Sequence, residues 1–193
     1  MTKSYNLING LIVCLLCFAV LILASDAAAK DFTGRLGLGY NKQIVSPFIS
    51  DDVMSLPDYF IASDELSMKF WFTERFGMNI LTGFNFANYD DSSGYNITVA
   101  GKFAANIIME ESCNFYVGGG PGIAVIHVDD GNDEDTSTGV ILQGMSGIEF
   151  FFDELPNLGF DVELGLQYMD VGKFQSFGTY GGAFGLLGFH YYF

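Results

Sequence analysis

From Asp31 to Phe193 bulky apolar and small or polar residues alternate with a period of two, the pattern of half-buried strands and not of helices. Residues 158–168 show it most plainly. Leu158, Phe160, Val162, Leu164, Leu166 and Tyr168 fall on one face, and Gly159, Asp161, Glu163, Gly165 and Gln167 on the other. Wound as a helix, this stretch would be apolar all round with two acids trapped among the side chains; as a strand both faces are clean. The pattern predicts strands at about 31–41, 64–73, 77–88, 95–107, 114–126, 139–151, 158–168 and 182–193. On the first, Phe32, Leu36, Leu38 and Tyr40 share the bulky face; on the fourth, Tyr95, Ile97, Val99, Phe103 and Ile107 do. The fifth is the poorest strand former. Pro121 cannot donate to a ladder and sits in the run Gly118-Gly119-Gly120-Pro121-Gly122, so a bulge is expected there. Those glycines do not make a phosphate loop: no Lys-Ser or Lys-Thr follows and no G-x-G-x-x-G opens a helix.

The connections alternate in length. Three are short: 74–76, 108–112 and 152–157. The others run at 42–63, 89–94, 127–138 and 169–181 and are mostly longer, and acidic or polar. Eight antiparallel strands with short turns at one end and longer connections at the other predict an all-β, up-and-down transmembrane barrel. A lipocalin-like barrel, apolar inside and wet outside, is the rival arrangement. Size decides. An eight-stranded barrel is only wide enough for side chains to fill, and a face of Phe, Tyr, Leu and Ile at nearly every step is too bulky for that lumen. The opposite face, mostly Gly, Ala, Asn and Thr, fits it. The bulky face is therefore expected to meet lipid. A few charges fall on the inner face: Arg35, Lys69, Lys102, Glu149, Asp161 and Glu163. Unpaired charges in a closed interior are costly, so a near-balanced network of ion pairs is expected, forming either a structural plug or a narrow ion path. Aromatic residues near the strand ends form two expected girdles. Tyr40, Phe60, Phe86, Tyr89, Tyr95 and Tyr168 make one; Phe76, Phe115, Phe150, Tyr191 and Phe193 make the other.

Ahead of the strands stands a different segment. Lys3 precedes an apolar run from Leu7 to Leu23, which ends in Ala27-Ala28-Ala29. A basic start, an apolar middle and a small-residue exit read as a cleaved signal peptide over 1–29, with the barrel domain over 30–193. The run is short for a membrane-spanning helix. Cys14 and Cys17 leave with the signal. Cys113 then stands alone, so the exported chain forms no internal disulfide. Composition removes further classes. Among 193 residues, 23 acids against 8 bases give a net charge of −15, so nothing neutralises phosphates and a nucleic-acid partner is excluded. With 20 Phe and 10 Tyr the chain is not disordered.

The last strand ends His190-Tyr191-Tyr192-Phe193, with Leu187, Phe189, Tyr191 and Phe193 at alternating positions. This looks like the signal read by the barrel assembly machinery of Gram-negative bacteria. With the leader and eight strands, the chain resembles the small outer-membrane β-barrel family: the OmpA transmembrane domain and the OmpX/Ail, OmpW and opacity-type proteins. The resemblance spans about 31–193 and is architectural, not chemical. It implies insertion from the periplasm, residence in the cell outer membrane among outer-membrane lipid and lipopolysaccharide, a monomeric state, and roles ranging from adhesion to passage of small hydrophobic solutes.

Catalytic chemistry is hard to find. The two histidines are His127, at a strand end, and His190, on the lumen face. A nucleophilic Ser would have to lie beside one of them; Ser137 and Ser176, the nearby candidates, fall in connections, and the His-x-Ser of outer-membrane deacylases is broken by Asp129 and Tyr192. No enzyme activity, cofactor or metal is expected. The run 129–135 has the composition of a calcium loop, but Gly131 stands third where the EF-hand loop needs it sixth. The expected function is a non-enzymatic structural or surface-interaction role through acidic extracellular loops; the alternative is a narrow channel for ions or small hydrophobic solutes, with a lateral exit near Pro121.

Overall fold

The computed structural model describes residues 32–44, 64–89, 92–129, 133–179 and 185–193. The expected leader and most of the 42–63 connection, Phe60 included, lie outside the described residues. Nine strand segments follow in order: β1 Leu36–Ile44, β2 Glu65–Trp71, β3 Phe76–Tyr89, β4 Ser92–Met109, β5 Cys113–Asp129, β6 Glu134–Phe152, β7 Leu155–Val171, β8 Phe174–Thr179 and β9 Gly185–Tyr192. Each pairs antiparallel with its neighbour in sequence from β1 to β8, and the ring closes where β1 and β7 both pair with β9. Two segments make the eighth staff of the barrel. Leu166 of β7 pairs with Thr179, whereas Glu163, three residues earlier, pairs with Leu186, seven residues later. The returning strand thus carries four more residues than β7 between these pairs. The result is a closed, eight-stranded antiparallel barrel.

Burial runs opposite to that of a soluble protein. Leu66, Phe84, Phe103, Leu164 and Phe177 stand outside with 57–73% of their surface exposed, while Lys102, Glu149 and His190 are fully buried. The expected girdle residues Phe86, Phe76, Phe150 and Phe193 also point outward. The lumen is filled. At the end bearing the short turns, Phe32 packs on Phe151 and Tyr192 with ring centroids 4.7 and 4.2 Å away, and Trp71 joins them. Toward the other end Ala124, Ile141, Met169 and Val171 form an aliphatic cluster. The inner face is therefore richer in aromatic residues than its expected Gly, Ala, Asn and Thr.

Several details differ from expectation. β1 begins at Leu36, not near 31, because Gly34 adopts φ +75°. The Arg35 amide closes the turn onto the Phe32 carbonyl at 2.9 Å. That turn carries Phe32 under the barrel, 2% exposed, instead of along its outer face. Pro121 leaves the β5–β6 register unbroken, from Cys113↔Phe150 to Asp129↔Glu134. On its other side the β4–β5 pairing lapses between Ala100↔Gly122 and Phe103↔Gly119 without changing register. The bulge lies elsewhere, between Asn106 and Ile108 of β4. There the Asn106 amide and side chain donate to the carbonyls of Arg75 and Glu74, each at 2.8 Å. The tie to the β2–β3 turn takes Asn106 out of simple alternation, and Ile107, expected on the outer face, is 4% exposed while Ile108 faces out. Finally, the stretches 127–138 and 169–181 are largely hairpin extensions of β5–β6 and β7–β8, not loops.

Candidate functional site

Strand alternation aims seven ionisable side chains into the barrel: Glu65 and Lys69 from β2, Lys102 from β4, Glu149 from β6, Asp161 and Glu163 from β7, and His190 from β9. All are 7% exposed or less. Lys69 Nζ lies 3.2 Å from Glu149 Oε1 and 3.6 Å from Asp161 Oδ1. Lys102 Nζ lies 2.5 Å from Glu163 Oε2. The Tyr192 hydroxyl donates to Glu149 Oε1 at 2.7 Å and itself accepts from Trp71 Nε1 at 3.3 Å. The Tyr116 hydroxyl donates to Glu163 Oε1 at 2.9 Å, and Lys69 Nζ stands 5.2 Å above the Tyr116 ring. Two ion-pair clusters thus share a tyrosine between them. Buried charges persist where a partner and further hydrogen bonds replace water; here the lysines supply the partners and Tyr192 and Tyr116 the further bonds, to Glu149 and Glu163.

Five of the six charged residues expected in the lumen come together. Arg35 does not. It lies at the short-turn end, where its guanidinium donates to Asn157 Oδ1 at 3.1 Å and to the carbonyls of Phe193 and Tyr192 at 3.2 and 3.4 Å. The strand it was to occupy starts one residue later, so it clasps the end of β9 instead of entering the barrel. Nor is the network balanced as three cations against three anions. Glu65 joins it, so two lysines and one histidine face four carboxylates. Glu65 was legible: it has the same parity as Ser67 and Lys69. Tyr116 likewise shares parity with Asn114 and Gly118, and Tyr192 with His190.

The histidine has partners that chain position hides. Ser67 Oγ is 2.6 Å from His190 Nε2, and His190 Nδ1 is 2.7 Å from Asp161 Oδ1. The expectation that no Ser stands beside a histidine is therefore wrong in geometry: the partner comes from β2, 123 residues away. The line of Ser, His and Asp is nonetheless not poised for acyl transfer. Ser67 is 4% exposed and His190 0%, leaving a carbonyl no approach. The Ser67 hydroxyl also donates to Asn79 Oδ1 at 2.7 Å. Glu149, Asp161 and His190 also bring ligand atoms within 4.8 Å of one another. Lys69 already lies against both carboxylates, so the place a metal ion would take is held by an ammonium group.

No protein-family model and no curated protein matches the sequence. Solved structures do. The amino-terminal barrel domain of Pseudomonas aeruginosa OprF superposes with a TM-score of 0.53 at 11% identity, over 83% of this chain and 98% of that one. Neisserial surface protein A superposes with the same score, 0.53, at 11% identity, over 82% and 96%. The fold is that of the small eight-stranded outer-membrane barrels. In a barrel of this size the lumen has room for side chains alone. The buried network and the aromatic cluster beneath it are what fills it.

Proposed function

We propose that the chain is an integral outer-membrane protein with a structural and surface-interaction role, non-enzymatic, its lumen closed by the ion-pair network. The observation that carries this reading is the inverted burial: a belt of exposed Leu, Phe, Ile and Val around a core of paired charges. Such a surface is stable against hydrocarbon and unstable against water. The leader read over 1–29 supports export, and Leu187, Phe189, Tyr191 and Phe193, which alternate outward from Gly188, His190 and Tyr192, support recognition by an assembly machinery. In this reading the short turns face the periplasm. The connections 42–63, 127–138 and 169–181 face the exterior, where the acidic residues of the first two meet lipopolysaccharide and other partners. The filled interior favours a plug over a path for solutes. Single-channel recording in planar bilayers tests it. The expected result is no steady conductance; steady current that changes in Lys69→Ala or Asp161→Ala would show the network to be a conducting path.

A further inference from the structure

We infer that the outer wall carries a seat for one acyl chain of a phospholipid with an ammonium headgroup, between β3 and β6 near the short-turn end. This rests on the membrane placement proposed above. The outward face is bulky almost everywhere, but there it is not. Phe76 pairs across to Ala105 and Ala105 to Val117; one row higher, Phe103 pairs to Gly119 and Gly119 to Gly144. Two exposed phenylalanines, Phe76 at 47% and Phe103 at 61%, stand beside a floor of Ala, Val and Gly. The depression has a volume of about 400 Å³, and Ala104, Gly118 and Met145 complete its lining. That lies within the range of about 300–1,000 Å³ of ligand clefts. It opens on the apolar belt, so the molecules that reach it are those of the surrounding hydrocarbon.

The headgroup follows from charge. The three short turns below the cleft carry Glu74, Glu110, Glu111, Asp153 and Glu154, all exposed, against one base, Arg75. A rim of that sign attracts an ammonium group and repels an anionic head. A lipid with its tail between Phe76 and Phe103 places its head at this rim.

The test is to fold the full barrel in bilayers with equal amounts of phosphatidylethanolamine and phosphatidylglycerol, and to count the lipids retained on release for native mass spectrometry. We expect one retained ethanolamine lipid, favoured by about fivefold, the ratio that one unit-charge contact supports at water's dielectric constant. Gly144→Phe is expected to abolish retention, since Gly144 pairs with Gly119 of the floor and a Cβ there meets nothing within 4 Å. Glu110→Gln with Glu111→Gln is expected to keep the lipid and lose the preference. Equal retention of both lipids by the native protein, or unchanged retention in Gly144→Phe, would overturn the inference. Heat-modifiable gel migration is checked first. A chain that never inserts sinks the membrane reading, whereas an inserted barrel that retains nothing sinks this inference alone.

Discussion

At the scale of single residues, the lumen is a set of charges that depend on one another. Lys102 is fully buried against Glu163, with Tyr116 on the far carboxylate oxygen. Lys102→Met strands that carboxylate and is expected to cost about 3–5 kcal/mol, the usual result of removing one partner of a buried pair. Urea unfolding in lipid vesicles measures it. Adding Glu163→Gln should restore part of the loss, because the uncompensated charge is gone. Ser67 should not react with a fluorophosphonate probe while the barrel is folded; labelling of the native protein would mean that the interior opens. How far these residues could be read from sequence follows from parity. Lys69, Glu149, Asp161 and Glu163 each stand between two bulky neighbours, and Lys102 shares the parity of Asn96, Thr98 and Asn106, so their direction was legible. Ser67 beside His190 was not, because adjacency across a closed ring depends on strand register and stagger, which alternation does not encode. Arg35 was misplaced for a local reason: the turn at Gly34 ends the alternation one residue before it.

At the scale of elements, extended hairpins replace much of two expected loops, 127–138 and 169–181. Val171 and Phe174 flank a two-residue turn in which Gly172 adopts φ +60°. A Cβ at Gly172 would meet Ser137 Oγ at 2.4 Å. Gly172→Ala is therefore expected to lower stability by about 1–2 kcal/mol. Gly178→Ala, whose Cβ would meet nothing within 4 Å, serves as the control and should change it by less than about 0.5 kcal/mol. The β5–β6 extension escaped the sequence reading because Asp129 and residues 133–138 are all polar, which leaves no period of two to read. The β7–β8 extension escaped it because the apolar residues change sides: Met169 and Val171 face the interior, opposite to Leu164 and Leu166. The seam between β1 and β9 is also an element with its own chemistry. The Phe193 amide donates to the Leu36 carbonyl at 2.9 Å, and Arg35 holds the Phe193 carbonyl. Deleting Phe193 is expected to slow assembly far more than it destabilises a barrel already formed. Folding rate into vesicles set against urea midpoint separates the two effects.

At the scale of the whole molecule, the ladder of the described residues closes through the β1–β9 and β7–β9 pairings, and β8 alone among these strands has a single partner, β7. Unheated samples in dodecyl sulfate should keep the barrel and migrate apart from boiled ones; identical migration would count against closure. The order of strands has a mechanical side as well. Apart from the β1–β9 seam, each staff of the barrel is laced only to those adjacent in the chain, β8 and β9 counting as one staff. Pulled from its carboxy end out of a bilayer by a cantilever, the molecule should yield first at that seam. It should then unravel in successive two-strand steps, each a separate peak in the force trace, because no distant lacing remains to hold the rest together.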